Sequence, residues 1–291
     1  MNPLRVILDS NVFGDGSFNA LEASPILSLV KSGKVQLIYG DVFLEELIST
    51  YEIESKRSTL LDRWLPFISA TCSVIGEELP IIWHQELVRG RGLNSHTFMS
   101  PARSQYLLSE LSAAERDGSW RTARDTIFAR SDLKQRMVAR RIRRRELREK
   151  IAKSLASGSN LKGALKKPLF SDFRSQFLMP AGRKFIEGDI DSRNPIAVAN
   201  RWARSPSYYP YFTQFVVNHL YGVWSCSWAH DKKLDINAQQ DLDIMTHLLR
   251  ADVLVTNERK FMRSAFDDLW RPRGKVVFDL EEFVELIRKL V

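Results

Sequence analysis

Short apolar runs alternate with helical patterns in the first seventy residues of the chain. Leu4–Leu8 and Val35–Gly40 are apolar and rich in β-branched residues, which predicts two buried strands. Apolar residues recur at helical spacing in Leu21–Lys34, in the segment that begins at Asp41, and from about residue 58 to 68. The polar Asp41 is a residue type that caps a helix start. This half of the pattern predicts strand–helix–strand–helix order.

The same alternation returns near the end of the sequence. Asp235–Ala251 has the spacing of a helix, and Asp252–Thr256 predicts a strand that ends in polar residues. A helix around Phe261–Trp270, a strand at Lys275–Phe278 and a terminal helix capped by Asp279 complete the pattern. Strands that alternate with helices predict a parallel sheet with right-handed crossovers, and therefore the α/β class.

Between about residues 77 and 205 the alternation disappears. This region is polar, rich in Arg, Ser and Lys, and mostly helical in pattern. We therefore predict a discontinuous α/β core formed by residues 1–76 and 206–291. Residues 77–205 form a mostly helical, basic insertion in this interpretation.

Positive charge is concentrated in the insertion. The chain carries 43 Lys plus Arg against 35 Asp plus Glu, a net charge of +8, and Lys134–Lys153 is half basic with only Glu146 and Glu149 opposing. Arginines would cover most of such a helix and attract the phosphates of a nucleic acid in a salt-dependent way. An acidic partner protein and a solvated helix with i,i+4 ion pairs are the alternatives. The candidate nucleic-acid-binding residues are Arg140, Arg141, Arg143, Arg144, Arg145 and Arg148.

No feature of the sequence indicates a membrane or an exported protein. No apolar run approaches the roughly 18–20 residues that a transmembrane helix needs. The first twenty residues lack the basic head, apolar middle and cleavage site of a signal peptide. We therefore expect a cytoplasmic protein that does not bind membranes.

Polar clusters follow two of the predicted strands. Asp9, Ser10 and Asn11 come directly after the first strand, and Thr256-Asn257-Glu258 closes the strand near the C-terminus. Sites in open parallel sheets form outside the carboxyl ends of the strands. If the two strands are neighbours, Asp9 and Glu258 meet at one edge of the sheet.

Helices can bring further acids to this edge. Of the pair Glu45-Glu46, one must face solvent because helix neighbours point about 100° apart, and Glu46 borders the apolar stripe. Asp241 lies three residues before a buried position and Asp243 is its alternative, since the two are about 200° apart. Each acid also has a plain interpretation, as a turn cap, a surface charge or a helix-dipole complement.

Clustered carboxylates favour a divalent cation. Carboxylates within a few ångströms repel one another and raise each other's pKa, and a cation relieves this repulsion. Mg²⁺ and Mn²⁺ prefer oxygen ligands and keep several waters. A metal so placed can activate water and stabilise charge on a phosphate.

The same residues carry a resemblance to the PIN-domain nucleases. Its marks are a strand ending in Asp ("VILDSNVF", Val6 to Phe13), an acid–Leu pair on an early helix ("EEL", Glu45 to Leu47), and "DLDIMTHLLRADVLVTNERKF" (Asp241 to Phe261). The closing "FDLEEFVELI" is also similar to the usual end of this family. The resemblance covers roughly residues 3–75 and 207–291, and the long insertion departs from compact members.

The resemblance implies a three-layer α/β/α fold with a central, mainly parallel sheet, and an endoribonuclease that depends on Mg²⁺ or Mn²⁺. It implies a metal-binding and catalytic tetrad of Asp9, Glu46, Asp241 (or Asp243) and Glu258, where Glu258 stands at a position that more often holds Asp. Asn11, Thr256 and Asn257 are the implied supporting residues.

Three functions follow as hypotheses. The first is a metal-dependent endonuclease acting on nucleic acid, with RNA as the expected substrate. The alternative is a PIN-like module with weakened metal ligation that recruits RNA or a partner. The third is a toxin or defence nuclease that an antitoxin or another acidic protein holds inactive. Many PIN proteins are toxins of toxin–antitoxin pairs. The sequence also leaves open whether the chain forms a homodimer.

Overall fold

A computed structural model describes residues 2–14, 16–50, 53–106, 109, 146, 174–225 and 236–290. Its five strands form one sheet in which every neighbouring pair is parallel. The strand order is β3-β2-β1-β4-β5, so that β1 is central. The strands are β1 (Leu4–Leu8), β2 (Val35–Tyr39), β3 (Cys72–Ile75), β4 (Val253–Val255) and β5 (Val276–Phe278).

Helices flank the sheet, and the predicted α/β class with a central parallel sheet is therefore confirmed. The helices are α1 (Ser17–Glu22), α2 (Ile26–Lys31), α3 (Asp41–Ser49), α4 (Glu54–Thr59), α5 (Leu65–Thr71), α6 (Leu79–Trp83), α7 (Met179–Asp189), α8 (Pro195–Arg204), α9 (Pro210–Trp224), α10 (Ile236–Thr246), α11 (Phe261–Leu269) and α12 (Leu280–Arg288). Short 3₁₀ or π-helical segments lie at Ser10–Phe13, Leu60–Trp64, His84–Val88, Gly92–Asn94, Arg174–Leu178, Pro206–Tyr208, His247–Leu249 and Arg271–Arg273.

The strands follow the predicted positions closely, and β1 matches its prediction residue for residue. Two details differ. The helix predicted over Leu21–Lys34 is interrupted, because Pro25 lacks the N–H that would continue a helix through it. Its first two residues end α1, which begins earlier at Ser17, and the helix that follows Pro25 is α2. The edge strand β3 follows α5 without an intervening turn motif, and the sequence pattern did not predict it.

The terminal helix α12 has the start that the sequence predicted. Asp279 accepts a hydrogen bond from the Glu282 backbone N–H at 2.9 Å, and the Glu282 side chain accepts from the Asp279 N–H at 3.0 Å. This capping box satisfies two of the backbone donors that a helix start leaves open. It fixes the point at which the chain leaves β5.

The described residues fall into two compact units. The first comprises the described residues within 1–77, 98–138 and 250–291 and contains the whole sheet. The second comprises the described residues within 78–97 and 139–249. The bounds of these compact units differ from those of the core and insertion that composition predicts. That predicted division stays a prediction.

The core of the first unit combines strand residues with an aromatic cluster. Val6, Leu8 and Val255 from the two central strands are all but fully buried. The aromatic cluster consists of Phe13, Phe18, Phe43, Trp64 and Phe67, with ring centroids 5.2 to 6.5 Å apart. Phe13 lies four residues after Asp9, so the packing that holds this ring also fixes the end of β1.

The second unit is built around α9. Residues 211–222 of this helix are buried on all sides. Most of them are apolar or aromatic, and the polar residues Thr213, Gln214, Asn218 and His219 are buried among them. Trp83 and Phe185 pack against Phe215 with ring centroids 3.9 and 4.8 Å away. Across the described stretches of both units, no helix combines the length and apolar character needed to cross a bilayer.

Candidate active site

The register of the two central strands brings their polar ends together. Leu8 of β1 pairs with Val255 of β4, and the Asp9 N–H donates to the Val255 carbonyl at 3.0 Å. Thr256, which directly follows β4, therefore lies beside Asp9 at the carboxyl edge of the sheet. The sequence left open whether these two strands are neighbours, and the strand order places them side by side.

Asp9 is a buried carboxylate, with 5% of the residue exposed. Its Oδ2 accepts a hydrogen bond from the Thr256 hydroxyl at 2.7 Å. Burial raises the pKa of Asp9 above its ordinary value of 3.8, and the nearby charge of Glu258 raises it further. Hydrogen bonds from Thr256 and from the backbone of Ser10 and Asn11 oppose that rise without cancelling it.

Thr256 connects three groups of the site. Besides donating to Asp9, its Oγ1 accepts from the Asn11 Nδ2 at 3.1 Å and from the Glu258 backbone N–H at 3.0 Å. The residue is only 2% exposed. One hydroxyl thus fixes the acid of β1 relative to the amide side chain after it and to the turn that follows β4.

Asn11 and Asn257 continue this network on either side. The Asn257 N–H donates to the Asn11 Oδ1 at 3.0 Å. The Asn257 side chain donates to the Ser17 hydroxyl at 3.1 Å and accepts from the Leu280 N–H at 3.2 Å. Both predicted supporting asparagines therefore lie in the network, and they connect the ends of β1 and β4 to the starts of α1 and α12.

Glu46 reaches the same edge from α3. The Ser10 hydroxyl donates to the Glu46 Oε2 at 2.7 Å. Glu46 is half-buried, and Ser10 directly follows Asp9, so this bond brings the second predicted acid close to the end of β1. The role of Glu46 as a metal ligand stays a prediction.

Glu258 has a structural task at this edge. Its Oε1 accepts from the backbone N–H groups of Lys260 and Phe261 at 2.8 and 3.1 Å, and its Oε2 accepts from Met262 at 2.7 Å. These donors open α11, so the carboxylate caps that helix and meets the positive end of its dipole. Its metal ligation stays a prediction.

Asp241 and Asp243 lie on α10 in the second unit. Asp243 is 3% exposed and Asp241 is half-buried. Between them, the Leu242 carbonyl accepts from the Asn218 side chain of α9 at 2.8 Å. The choice between the two aspartates as a metal ligand stays a prediction.

The arginine-rich segment lies outside the described residues. This applies to all six predicted nucleic-acid-binding residues, Arg140, Arg141, Arg143, Arg144, Arg145 and Arg148. The prediction that they contact phosphates stays one from sequence alone.

The donor set at the sheet edge suits a hard divalent cation. Asp9 and Glu46 offer carboxylate oxygens, and Ser10 and Thr256 offer hydroxyls that orient them. Mg²⁺ is commonly held by one or two carboxylates with several waters. Over the described part of the chain, no three His, Cys, Asp or Glu side chains cluster as a metal group. Asp9 with Glu46 is the pair on which a metal site would depend.

Ser17 is a member of the network that the sequence reasoning missed. It begins α1 and accepts the Asn257 amide. A hydroxyl directly after the Gly14–Gly16 turn was the available signal, since small polar residues at a helix start often bond to neighbouring chain segments.

Comparisons with known proteins give no family assignment. A scan against family models found no match, and searches of curated proteins and of solved structures found no significant match.

Proposed function

We propose that this chain is a divalent-metal-dependent endonuclease of the PIN type that hydrolyses RNA. The observation that carries the proposal is the buried Asp9 carboxylate at the end of the central strand, next to the charge of Glu258. A buried acid with a neighbouring negative charge is costly unless a cation accompanies it. Perturbed acids of this kind are concentrated at functional sites.

The residues around Asp9 have distinct tasks in this proposal. Thr256 donates to the Asp9 Oδ2 and fixes the position of this carboxylate. Ser10 holds the Glu46 carboxylate beside it. Mg²⁺ or Mn²⁺, when bound, would supply Lewis acidity to a phosphate oxygen and lower the pKa of a water. The two hydroxyls keep both carboxylates in place for such an ion, as supporting residues of metal sites do.

The basic balance of the chain supports a nucleic-acid substrate. The net charge is +8, and Lys134–Lys153 carries most of the excess in one segment. Affinity from such a segment comes from phosphate contacts and falls with added salt. We propose RNA rather than DNA as the substrate because of the resemblance to PIN ribonucleases. An antitoxin would be an acidic protein that competes for the same segment.

The experiment combines metal titration with cleavage of labelled single-stranded RNA. The wild-type chain should cleave in Mn²⁺ or Mg²⁺ and lose cleavage in EDTA. Asp9→Asn should lower the cleavage rate about a hundredfold or more, because it removes a charged oxygen ligand. Mn²⁺ should also raise the melting temperature of the wild-type chain and leave that of Asp9→Asn unchanged.

Asp62→Asn is the matched control, since Asp62 is an exposed acid of the same unit. It should keep both cleavage and the Mn²⁺-dependent shift in melting temperature. Cleavage that survives in EDTA, or that Asp9→Asn leaves at the wild-type rate, would refute a metal-dependent reaction at this site. Toxicity on expression that Asp9→Asn abolishes would add support for a toxin.

A second candidate is a metal-independent RNA-binding module. Glu258 favours it, because both of its oxygens already accept backbone N–H groups of α11. A carboxylate so engaged is a weaker metal ligand than a free one. This candidate predicts that the chain binds RNA equally in EDTA and in Mn²⁺ and does not cleave it. Asp9→Asn should then leave the affinity for RNA unchanged.

A further inference from the structure

A second candidate site lies wholly within the second unit. Here a cavity of about 460 Å³ opens between the end of the His84–Val88 segment and the start of α8. Pockets for small ligands usually have volumes of about 300–1,000 Å³. Val88, Ala197 and Val198 give this cavity an apolar wall. A ligand with a flat or apolar part could rest against them.

Two arginines supply the charge of the cavity. Arg201 lines it, and its Nη2 donates to the Leu87 carbonyl at 3.1 Å, which holds the guanidinium at the wall. Arg193 lines it as well, and within the described chain its guanidinium has no ion pair or hydrogen bond. Guanidinium groups bind phosphate oxygens through paired N–H donors.

The loop that precedes α8 fixes the polar part of the lining. The Asn194 Oδ1 accepts from the Ala197 N–H at 3.0 Å and caps the helix. The Asn194 N–H donates to the Ser192 Oγ at 3.3 Å, which leaves the Ser192 hydroxyl hydrogen for a ligand. Asp191 is the acid of the lining and is exposed. It would repel an anion at its own position but would accept hydrogen bonds from sugar hydroxyls.

We propose that this cavity binds a phosphate ester of nucleotide size. The phosphate lies against Arg193 and Arg201, the hydroxyls face Asp191, and the base packs on the wall formed by Val88 and Val198. A phosphate monoester carries nearly two negative charges and matches two guanidinium groups, whereas a carboxylate matches only one. The proposal is independent of metal chemistry at Asp9, because all of its residues belong to the second unit.

Calorimetric titration of the full chain tests the proposal, with EDTA present so that no metal contributes. The probes are 5′-AMP and 5′-UMP, with adenosine, uridine and inorganic phosphate as comparisons. At least one of the two nucleotides should bind at least about tenfold more tightly than its nucleoside and than phosphate. Arg193→Gln and Arg201→Gln should each weaken that binding about ten- to hundredfold.

The matched control is Arg183→Gln, which removes an exposed arginine of α7 that bonds to Asn200 and does not line the cavity. It should bind the nucleotide like the wild-type chain. Arg193→Gln decides the test if Arg201→Gln unfolds, because the Arg193 guanidinium has no described partner to lose. A trinucleotide with a 5′-phosphate distinguishes two sources of the phosphate. Tighter binding than that of the mononucleotide would identify an RNA end, and equal binding would identify a free nucleotide.

Three results would overturn the proposal. The first is that neither nucleotide binds more tightly than its nucleoside. The second is that inorganic phosphate binds as tightly as the nucleotides. The third is that Arg193→Gln binds like the wild-type chain. Each outcome is separate from RNA cleavage, so it leaves the proposed nuclease function untouched.

Discussion

Asp9 in the first unit and Glu86 in the second are both buried acids, yet their surroundings are opposite. Asp9 is 5% exposed and Glu86 is fully buried. The two Glu86 oxygens accept from the backbone N–H groups of Tyr211 and Phe212 at 3.0 and 2.8 Å. These donors belong to the first turn of α9, where the helix dipole is positive. Asp9 has a hydroxyl and two adjacent amides as donors, and a second acid nearby.

The difference shows that burial of a carboxylate does not by itself identify a functional site. The negative charge of Glu86 is compensated by the start of a helix, and that interaction stabilises the second unit. The charge of Asp9 is compensated less completely, because its hydrogen bonds do not cancel the cost of burial and Glu258 adds repulsion. A carboxylate that is buried, incompletely compensated and placed at a sheet edge is the kind that a bound cation would stabilise.

The largest effect should come from removing the compensated acid. Glu86→Ala leaves two buried N–H groups of α9 without their acceptor, and should lower the free energy of unfolding by about 2–4 kcal/mol. Urea denaturation followed by circular dichroism measures this loss. RNA cleavage by the folded fraction should be unchanged if Glu86 is purely structural.

Glu86→Gln serves as the graded control, because its one carbonyl oxygen can still accept from Tyr211 or Phe212. It should lose less stability than Glu86→Ala. A free energy of unfolding within about 0.5 kcal/mol of wild type for Glu86→Ala would break the comparison, since a compensating structural role predicts more.

The next effect concerns the hydroxyl that joins the parts of the candidate active site. Thr256→Val keeps the shape of the side chain but removes the donor to Asp9 and the acceptor for Asn11, at a site that is 2% exposed. We expect a loss of about 2 kcal/mol in the free energy of unfolding.

Thr256 also lowers the pKa of Asp9, so its loss should move the acidic limb of the cleavage profile to higher pH. A series of cleavage rates across pH measures that shift. Thr256→Ser keeps the hydroxyl and should restore the wild-type profile. A profile that Thr256→Val leaves unmoved would contradict a positioning role for this hydroxyl.

A smaller effect is expected at Glu258, which shares features with both acids. It caps α11 as Glu86 caps α9, but it is only half-buried, so water can replace part of the cap. Glu258→Ala should therefore lower the free energy of unfolding by about 1 kcal/mol. Thermal and urea unfolding measure this change.

Glu258→Gln separates the cap from the charge, since its carbonyl oxygen still accepts a backbone N–H. A variant that stays stable but loses Mn²⁺ affinity would identify Glu258 as a metal ligand as well as a cap. Unchanged Mn²⁺ affinity would assign it to the helix alone.

Much of the first unit could be predicted from sequence because its signals are local. An apolar run such as Leu4–Leu8 that ends at Asp9 is detectable without knowing its neighbours. The rule that sites form at the carboxyl ends of parallel strands directed attention to the polar residues after β1 and β4. The pairing of these two strands was a condition that the structure meets. The bond between Ser10 and Glu46 is consistent with the choice of Glu46 over Glu45, which rested on the apolar stripe of α3.

The features that sequence reasoning missed depend on distant contacts. Glu86 lies in the segment "IIWHQELV", where nothing local reveals that its partners are 125 and 126 residues away. Strand β3 is recognised by pairing with β2, since its own four residues are too short for a clear pattern. Glu258 was predicted as a site acid because its sequence position matched the pattern, whereas its capping role depends on the N–H directions of the turn.

The smallest effect is expected for Asp9→Asn. It tests the comparison most directly, because its sign is opposite to that of Glu86→Ala. The pKa of Asp9 is raised above 3.8 in the folded chain. The neutral acid therefore contributes stability that is fully present below about 3.8 and is lost as pH rises through the raised pKa. At neutral pH, without metal, Asp9→Asn should raise the free energy of unfolding by up to about 1 kcal/mol, because it removes the cost of burying the Asp9 charge and, to a smaller extent, the repulsion from Glu258.

This gain should shrink as the pH is lowered through the raised pKa of Asp9, because the wild-type acid then becomes protonated itself. Urea denaturation in EDTA at a series of pH values measures it, with Asp62→Asn as the exposed control, which should show no such trend. Adding Mn²⁺ should reverse the order of the two proteins, because the ion stabilises only the charged acid. A loss of stability for Asp9→Asn at neutral pH in EDTA would mean that the Asp9 charge is compensated as fully as that of Glu86. The case for a cation at the sheet edge would then fail.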